Sequence, residues 1–350
     1  MHKNAYRPVI EIMRGSTIES IHYGAVAVVD MQGHLLASYG DPNIATFMRS
    51  AAKPFQALPF IEAEGHQYYH LTSKEIALIC SSHSGTDEHV QVVKSIQKKV
   101  GVSEGDLKCG THPPYHQPTA EAMLLRGEQP TANRHNCSGK HTGMLAYARL
   151  KEWSLQDYLE PGHGVQKAIR HFFAEMCELP IEKVHVGIDG CSAPNFAVPL
   201  INAALAWARL ADPSQLTQQR AQACRVITSA MTTHPEMIGG PGRFDTALMH
   251  SARGQIIAKA GAEGYQGIGL IPGALGADSP ALGIALKISD GDGLGRARPA
   301  VVLEVLRQLG ALDSTQLAAL STFGPRKGIK NWRNFVVGEL RPVFNLDRTE

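Results

Sequence analysis

Short apolar runs of strand character stand near both ends of this chain, and a long helical stretch separates them. Residues 25–30 (Ala-Val-Ala-Val-Val-Asp) read as a strand, Met31-Gln32-Gly33 as its turn, and 34–39 as the return strand of a hairpin. Three further strands read at 255–261, 267–271 and 283–290, followed by a helix at 297–309. Between the two groups lie helices at 87–100, 140–151, 163–178, 195–210 and 214–233, with one short strand at 184–189. Strands at the two ends share a core only by pairing across that insert. The pattern therefore predicts an α/β (α+β) chain: a mostly antiparallel sheet flanked by helices, with a helical lobe beside it. The expected bounds are one domain over 1–350, with a sheet lobe at about 1–45 and 236–350 and a helical lobe at about 46–235. The basic segment after Phe323, with Arg326, Lys327, Lys330 and Arg333, reads as a solvated loop.

Ser50 and Lys53 stand three residues apart in Met48-Arg49-Ser50-Ala51-Ala52-Lys53-Pro54-Phe55, within a helix expected to run to about Gly65. Residues so spaced share a helix face, which places the hydroxyl beside the amine. If burial or a neighbouring cation keeps the amine neutral, it can take the hydroxyl proton and make serine a nucleophile without a histidine. The spacing by itself arises by chance about once or twice in a chain of this length, and Ser95 with Lys98 repeats it. There Lys94, Lys98 and Lys99 crowd one face while Val92, Val93, Ile96 and Val100 are apolar, as in a surface helix with solvated lysines. Ser50 lies instead among Phe47, Met48, Ala51, Ala52, Phe55, Ala57, Leu58, Phe60 and Ile61, surroundings that would desolvate Lys53.

Two further elements bear on this pair. Ile79-Cys80-Ser81-Ser82-His83-Ser84-Gly85 is an apolar run that breaks into a polar turn. It is either a capped helix or strand end, or a second hydroxyl, Ser82, whose base must come from elsewhere in the chain. Lys259-Ala260-Gly261 offers such a base, since the small residues let a substrate lie along the strand. An early Ser-x-x-Lys, a middle serine turn and a late Lys-x-Gly on a strand is the element order of penicillin-recognising serine enzymes.

Asn136-Cys137-Ser138-Gly139-Lys140-His141 lacks the leading glycine and the Ser/Thr of a phosphate-binding loop. Asp189-Gly190-Cys191 is a second cysteine-bearing turn. The two cysteines are either buried free thiols, a reactive thiolate, or part of a shared metal site. The six cysteines show no disulfide-framework spacing. A net charge of +2 gives no reason to expect nucleic-acid or anionic-membrane binding, and no run of 18 apolar residues is present. The segment 1–8 lacks the apolar core of a secretory signal, so a cytoplasmic location is expected.

Together, Arg49-Ser50-Ala51-Ala52-Lys53-Pro54-Phe55-Gln56, Ser82-His83-Ser84-Gly85, Asn136-Cys137-Ser138-Gly139-Lys140-His141, Asp189-Gly190-Cys191 and Lys259-Ala260-Gly261-Ala262-Glu263-Gly264 closely resemble the Rhizobium etli-type (class 3) L-asparaginases, over about residues 8–340. The resemblance implies a single catalytic domain of serine β-lactamase-like and glutaminase-like fold that hydrolyses L-asparagine to L-aspartate and ammonia, as a homodimer. It implies two Ser-Lys pairs, Ser50 with Lys53 and Ser82 with Lys259. It also implies a zinc ion held by Cys137, Lys140 and Cys191, with His141 and Asp189 near it and Arg49, His141 and Asp189 as substrate-binding residues. A lysine that ligates zinc must be neutral, because an ammonium has no lone pair. On this reading Lys53 deprotonates Ser50, which attacks the side-chain amide, and Ser82 is the alternative nucleophile. The competing readings are another serine hydrolase of the same fold (a glutaminase or a β-lactamase-like enzyme), a zinc-water amidohydrolase, and a non-catalytic amino-acid sensor.

Overall fold

The computed structural model describes residues 5–349; Met1–Asn4, part of the segment read for a secretory signal, and Glu350 lie outside them. The chain forms two compact units. The first comprises Met1–Ala51, Val198–Asp212 and Ala247–Glu350, and the second Ala52–Ala197 and Pro213–Thr246. The architecture is mixed helix and antiparallel sheet, as the strand–helix–strand pattern predicts.

The first unit is built on a nine-stranded sheet whose main path runs Lys327–Lys330, Val336–Pro342, Arg7–Arg14, Thr17–Asp30, Leu282–Ile288, Tyr265–Leu270, Ile256–Gly261. Thr17–Asp30 is the central strand. Its run from Gly24 to Val29 is buried throughout, with Val28 opposite Ile284 and Val26 opposite Leu286. The predicted hairpin forms, with Val28 opposite Ala37; Asp30 Oδ1 accepts the N–H groups of Gln32 and His34, and Gly33 takes a φ of +87°.

The helix Leu200–Ala211 packs on this sheet and belongs to the first unit, although its sequence falls within the stretch read as the helical lobe. Glycines permit the approach. A Cβ on Gly283 would lie 1.8 Å from Ala204 O, and one on Gly267 would lie 1.9 Å from the Trp207 indole nitrogen. The residues before Leu200, read from sequence as the start of a helix, form the strand Pro194–Pro199, which pairs with His185–Ile188.

The basic segment after Phe323 is not a loop. Lys327–Lys330 and Val336–Pro342 form a hairpin, and the second strand pairs with Arg7–Arg14. Asn331 Oδ1 closes the turn by accepting from Arg333 and Phe335, and Asn334 takes a φ of +64°. The charged side chains point to solvent while the backbone pairs, so charge density misled the reading.

The second unit is helical. The helix Lys53–Glu62 is buried from Lys53 to Ile61 and packs against Ser138–Leu150, Gly164–Met176 and Gln218–Thr233. Around it, Ser73–Ile79 starts at a Thr72/Glu75 capping box, and Asp87–Val100 starts at Thr86 and ends at Gly101 with φ +74°. Asp87–Val100 is the amphipathic surface helix anticipated, with Lys98 and Lys99 exposed. Two glycines set Ser138–Leu150 directly on Ser73–Ile79. A Cβ on Gly139 would stand 2.3 Å from Leu78 O, and one on Gly143 would stand 2.5 Å from Ile79 Cγ2. Among the described residues no helix is long and apolar enough to cross a membrane.

Two buried imidazoles lie beside this junction. His83 and His89 stack with centroids 5.0 Å apart. Ser138 Oγ donates to Asn133 O, so it accepts from His83 Nε2, and His83 Nδ1 accepts from Gly85 N–H. His89 Nε2 donates to Glu236 O while its Nδ1 accepts from Thr86 N–H. Both rings are therefore held in a neutral tautomer. Burial, then the charges of His89 and Lys53, hold the His83 pKa well below 6.5; burial likewise lowers that of His89.

Two outcomes follow for stability. Gly139→Ala places a methyl group against backbone and should cost about 1–3 kcal/mol, read as a lower urea midpoint; an unchanged midpoint would show that the two helices can separate freely. Below pH 6.5 the unfolded chain protonates both imidazoles while the folded chain keeps them neutral. The unfolded state then binds more protons, so the melting temperature should fall as pH drops below that value. His83→Asn, whose Oδ1 can still accept from Gly85 N–H, should flatten that fall, and an equally steep fall in the variant would assign acid sensitivity elsewhere.

Candidate active site

Lys53 is the first residue of its helix and only 1% exposed. A buried amine must find oxygen partners, and this one has three. Nζ lies 2.6 Å from Ser81 O, 2.8 Å from Ser82 Oγ and 3.4 Å from Asn136 O. The two carbonyls can only accept, so N–H bonds face them. The third direction meets a hydroxyl, which can donate or accept. When the amine is neutral, its lone pair falls on the Ser82 O–H, the arrangement needed to draw off that proton.

Ser82 follows the end of the helix Ser73–Ile79. It is 6% exposed, and its N–H donates to Ile238 O at 3.0 Å. The chain around it is tied down on both sides, since Ser84 Oγ donates to Gly239 O and His116 N–H to Ser84 O. The sequence reading assigned Lys53 to Ser50 and Lys259 to Ser82. Within the second unit it is Lys53 that meets Ser82. Ser81 contributes its carbonyl, while its own hydroxyl is buried without a hydrogen-bond partner.

Ser50 sits in a 3-10 turn, Arg49–Ala52, that runs directly into the Lys53–Glu62 helix; the expected single helix from Ser50 to about Gly65 is thus a turn, a helix and a short further helix, Gly65–Tyr68. Arg49, just before it, takes a φ of +52°, a left-handed conformation costly for a residue with a side chain. In the same unit the strand Ile256–Gly261 runs alongside this turn: a Cβ on Gly261 would stand 2.2 Å from Met48 O, and Arg49 reaches Glu263 at 3.9 Å. Lys259 on that strand is 1% exposed, and its Nζ donates to Ala260 O at 2.8 Å.

The remaining predicted residues gather in the second unit. Lys140 and His141 lie on the first turn of Ser138–Leu150, just after Cys137, and Cys191 follows the strand His185–Ile188. Lys140 Nζ lies 3.0 Å from Cys191 Sγ. The Cys137 thiol is held well below its ordinary pKa by the Cys191 sulfur, against burial, with help from Lys53 and Lys140. Burial would lower the Lys140 pKa, but the electrostatic pull of the Cys191 and Cys137 sulfurs outweighs it and raises it. Cys109 is the contrasting neighbour: burial, with Cys137 and Cys191 beside it, pushes its thiol up to about 12.

His141 is fully buried, and its Nδ1 lies 2.7 Å from Tyr158 Oη. Burial lowers its pKa to about 4, although the Cys191 sulfur opposes this, and its Nε2 makes no hydrogen bond. Asp189 is half-buried, with Oδ1 accepting from Gly190 N–H. Among the described residues no three His, Cys, Asp or Glu side chains form a metal-holding group, and the predicted set has only two such residues, with Lys140 as its third member.

Several participants carried no sequence signal. The carbonyls of Ser81 and Asn136 act through backbone, which no motif records. His112 lies in an unremarkable Thr-His-Pro-Pro-Tyr segment, yet its Nε2 accepts the Asn136 N–H at 3.0 Å.

No curated protein matches this chain. Among solved structures it resembles a probable glutaminase from Bacillus subtilis complexed with 6-diazo-5-oxo-L-norleucine, at 14% identity, over 83% of this chain and 84% of that one, with a TM-score of 0.39. It also resembles a Bacillus glutaminase determined in the presence of 4.3 M NaCl, at 13% identity, over 81% and 90% of the two chains, with a TM-score of 0.37. Likeness this distant bears on no residue and no substrate. The profile of the L-asparaginase II family, by contrast, matches residues 10–342, nearly the whole length. The chain belongs to the L-asparaginase II family, and with it to the amidohydrolases.

Proposed function

We propose that this protein hydrolyses the side-chain amide of L-asparagine, giving L-aspartate and ammonia through a serine ester. The observation that carries the reading is the 2.8 Å contact between Lys53 Nζ and Ser82 Oγ in a buried setting. Neutral Lys53 takes the hydroxyl proton as Ser82 Oγ attacks the amide carbon. The tetrahedral intermediate collapses, the proton on Lys53 passes to the departing nitrogen, and ammonia leaves a β-aspartyl ester on Ser82. Water then attacks the ester carbonyl, Lys53 accepts its proton, and that proton returns to Ser82 as aspartate departs.

One observation favours a second nucleophile. The Ser82 N–H is already bonded to Ile238 O, so an oxyanion formed on Ser82 would need donors other than that serine's own amide. Ser50, three residues before Lys53 in the chain, is the alternative. Lys259, Arg49, His141 and Asp189 are proposed, on the family resemblance, to serve the same reaction. A homodimer and a cytoplasmic location are proposed on the same basis.

Zinc is proposed at Cys137, Lys140 and Cys191. The donor set suits it: a thiol held low, a second sulfur beside an amine, and the unpartnered Nε2 of His141 nearby. Bound there, zinc would supply a fixed positive charge for an anionic group of the substrate. Lys140 must give up a proton to join such a set, since its neighbours favour the ammonium.

Ammonia release from L-asparagine, with L-glutamine as the comparison, tests the reaction. Ser82→Ala and Lys53→Met should each reduce turnover by at least about 100-fold, as should Ser50→Ala if Ser50 attacks. Mass mapping of an acyl-enzyme trapped by acid quench then places the ester on one serine; near-normal turnover in a variant removes that residue from its role. Stripping the metal with a chelator should raise KM more than it lowers kcat, and adding zinc to the stripped protein should release protons. An unchanged KM would refute a substrate-binding role for the metal.

A further inference from the structure

The weakest of the three oxygen contacts to Lys53 is the Asn136 carbonyl at 3.4 Å, against 2.6 Å for Ser81 O. It is therefore the contact most sensitive to how Asn136 is held on either side, and His112 holds it on the N-terminal side, at its N–H. Pro113 O lies 2.6 Å from His112 Nδ1 and can only accept, so Nδ1 carries the proton. His112 Nε2 is then a lone pair, and it accepts the Asn136 N–H at 3.0 Å. Asn136 Oδ1 lies farther from the same nitrogen, at 3.4 Å.

The next amide is treated alike: Cys137 N–H donates to His135 Nδ1 at 3.0 Å. The two imidazoles pack together with centroids 4.4 Å apart, and Tyr115 stacks on His112 at 4.6 Å with planes 19° apart. Consecutive amides of the Asn136–Cys137 segment are thus fixed by consecutive members of one ring stack. No hydrogen bond joins His112 to Lys53 or Ser82.

We infer that His112 is a positioning residue for the Lys53–Ser82 pair. It anchors Asn136 at its N–H, on one side of the Cα, while His135 holds the Cys137 N–H of the carbonyl's own peptide on the other; between them the Asn136 carbonyl is set to take one Lys53 N–H while Ser81 O takes the other, which leaves the amine lone pair directed at Ser82. The inference rests on the reading of Lys53 as the base and deepens it. The chain Pro113 O, His112, Asn136, Lys53, Ser82 is continuous through hydrogen bonds and lies wholly within the second unit.

Two variants separate acceptor from ring. His112→Phe keeps an aromatic ring in the stack but has no acceptor. His112→Gln loses the ring but can present Oε1 where Nε2 stood. Two readouts are taken on the full chain: amide turnover, and the rate at which an alkyl fluorophosphonate labels Ser82, located by peptide mass mapping. The second does not depend on the natural substrate. His112→Phe should slow both by about 10- to 100-fold, with KM unchanged and the melting temperature within a few degrees of the parent, and His112→Gln should recover most of the loss. Parental rates in His112→Phe would overturn the inference. So would equal losses in both variants accompanied by lowered melting temperatures, which mark a structural role. If the parent labels at Ser82 but hydrolyses no amide, and labelling follows the expected order, the substrate reading fails and the positioning role stands. If the parent neither labels at Ser82 nor hydrolyses an amide, Lys53 does not activate Ser82 and the positioning role falls with it.

Discussion

The close approach of two helices at Gly139 and Gly143 fixes most of what matters in the second unit. With Cβ positions 2.3 Å from Leu78 O and 2.5 Å from Ile79 Cγ2, a larger residue would have to displace the Leu78 backbone at the first position and the Ile79 side chain at the second. The helix Ser73–Ile79 ends beside this contact and releases Ser81 and Ser82. The helix Ser138–Leu150 begins beside it, preceded by Asn136 and Cys137. The oxygen cage of Lys53 is drawn from both exits: Ser81 O and Ser82 Oγ from one, Asn136 O from the other. A separation of the helices by the width of a methyl group would pull the cage apart from both sides. Packing and chemistry are here the same constraint, because the amine has almost no exposure to water and must be satisfied by protein alone.

Two buried lysines in this unit share the Cys137 sulfur as a neighbour but differ in their hydrogen-bond partners. Lys140 lies against Cys191, with Cys137 and Asp189 near enough to favour its cation. The hydrogen bonds of Lys53 go to three oxygens, two of them backbone, while with Lys140 it helps hold the Cys137 thiol low. Both amines therefore act on the Cys137 sulfur, and it is the oxygen partners that set Lys53 apart.

The sequence carried the architecture where it was local. The hairpin at 25–39, the three strands after 250, and the helices at 87–100 and 297–309 form close to their predicted bounds, because turn residues, β-branching and capping are short-range effects. It failed where a long-range partner overrides local character. The basic segment after Phe323 becomes two strands because Arg7–Arg14 offers a pairing edge more than 300 residues away. The start of the helix read at 195–210 becomes the strand Pro194–Pro199 because His185–Ile188 pairs with it. The site shows the same division. Residue type and spacing singled out Ser50, Lys53, Ser82 and Lys259 as candidates. They did not show the contact of Lys53 with Ser82, because 29 residues separate the two and only the fold closes that gap.

The cysteines show why residue type alone cannot assign reactivity. Cys109, Cys137 and Cys224 are all buried, and burial by itself disfavours every thiolate. It pushes Cys109 and Cys224 up to about 12. Cys137, equally removed from water, is driven the other way by the Cys191 sulfur and by Lys53 and Lys140. The negative charge gathered there in turn helps keep Cys109 a thiol. Of these three, only Cys137 is held toward the thiolate that a sulfur donor of the proposed zinc set would need. Lys140, against the Cys191 sulfur, is itself held toward its cation there, and as a member of the proposed zinc set it would have a proton to lose.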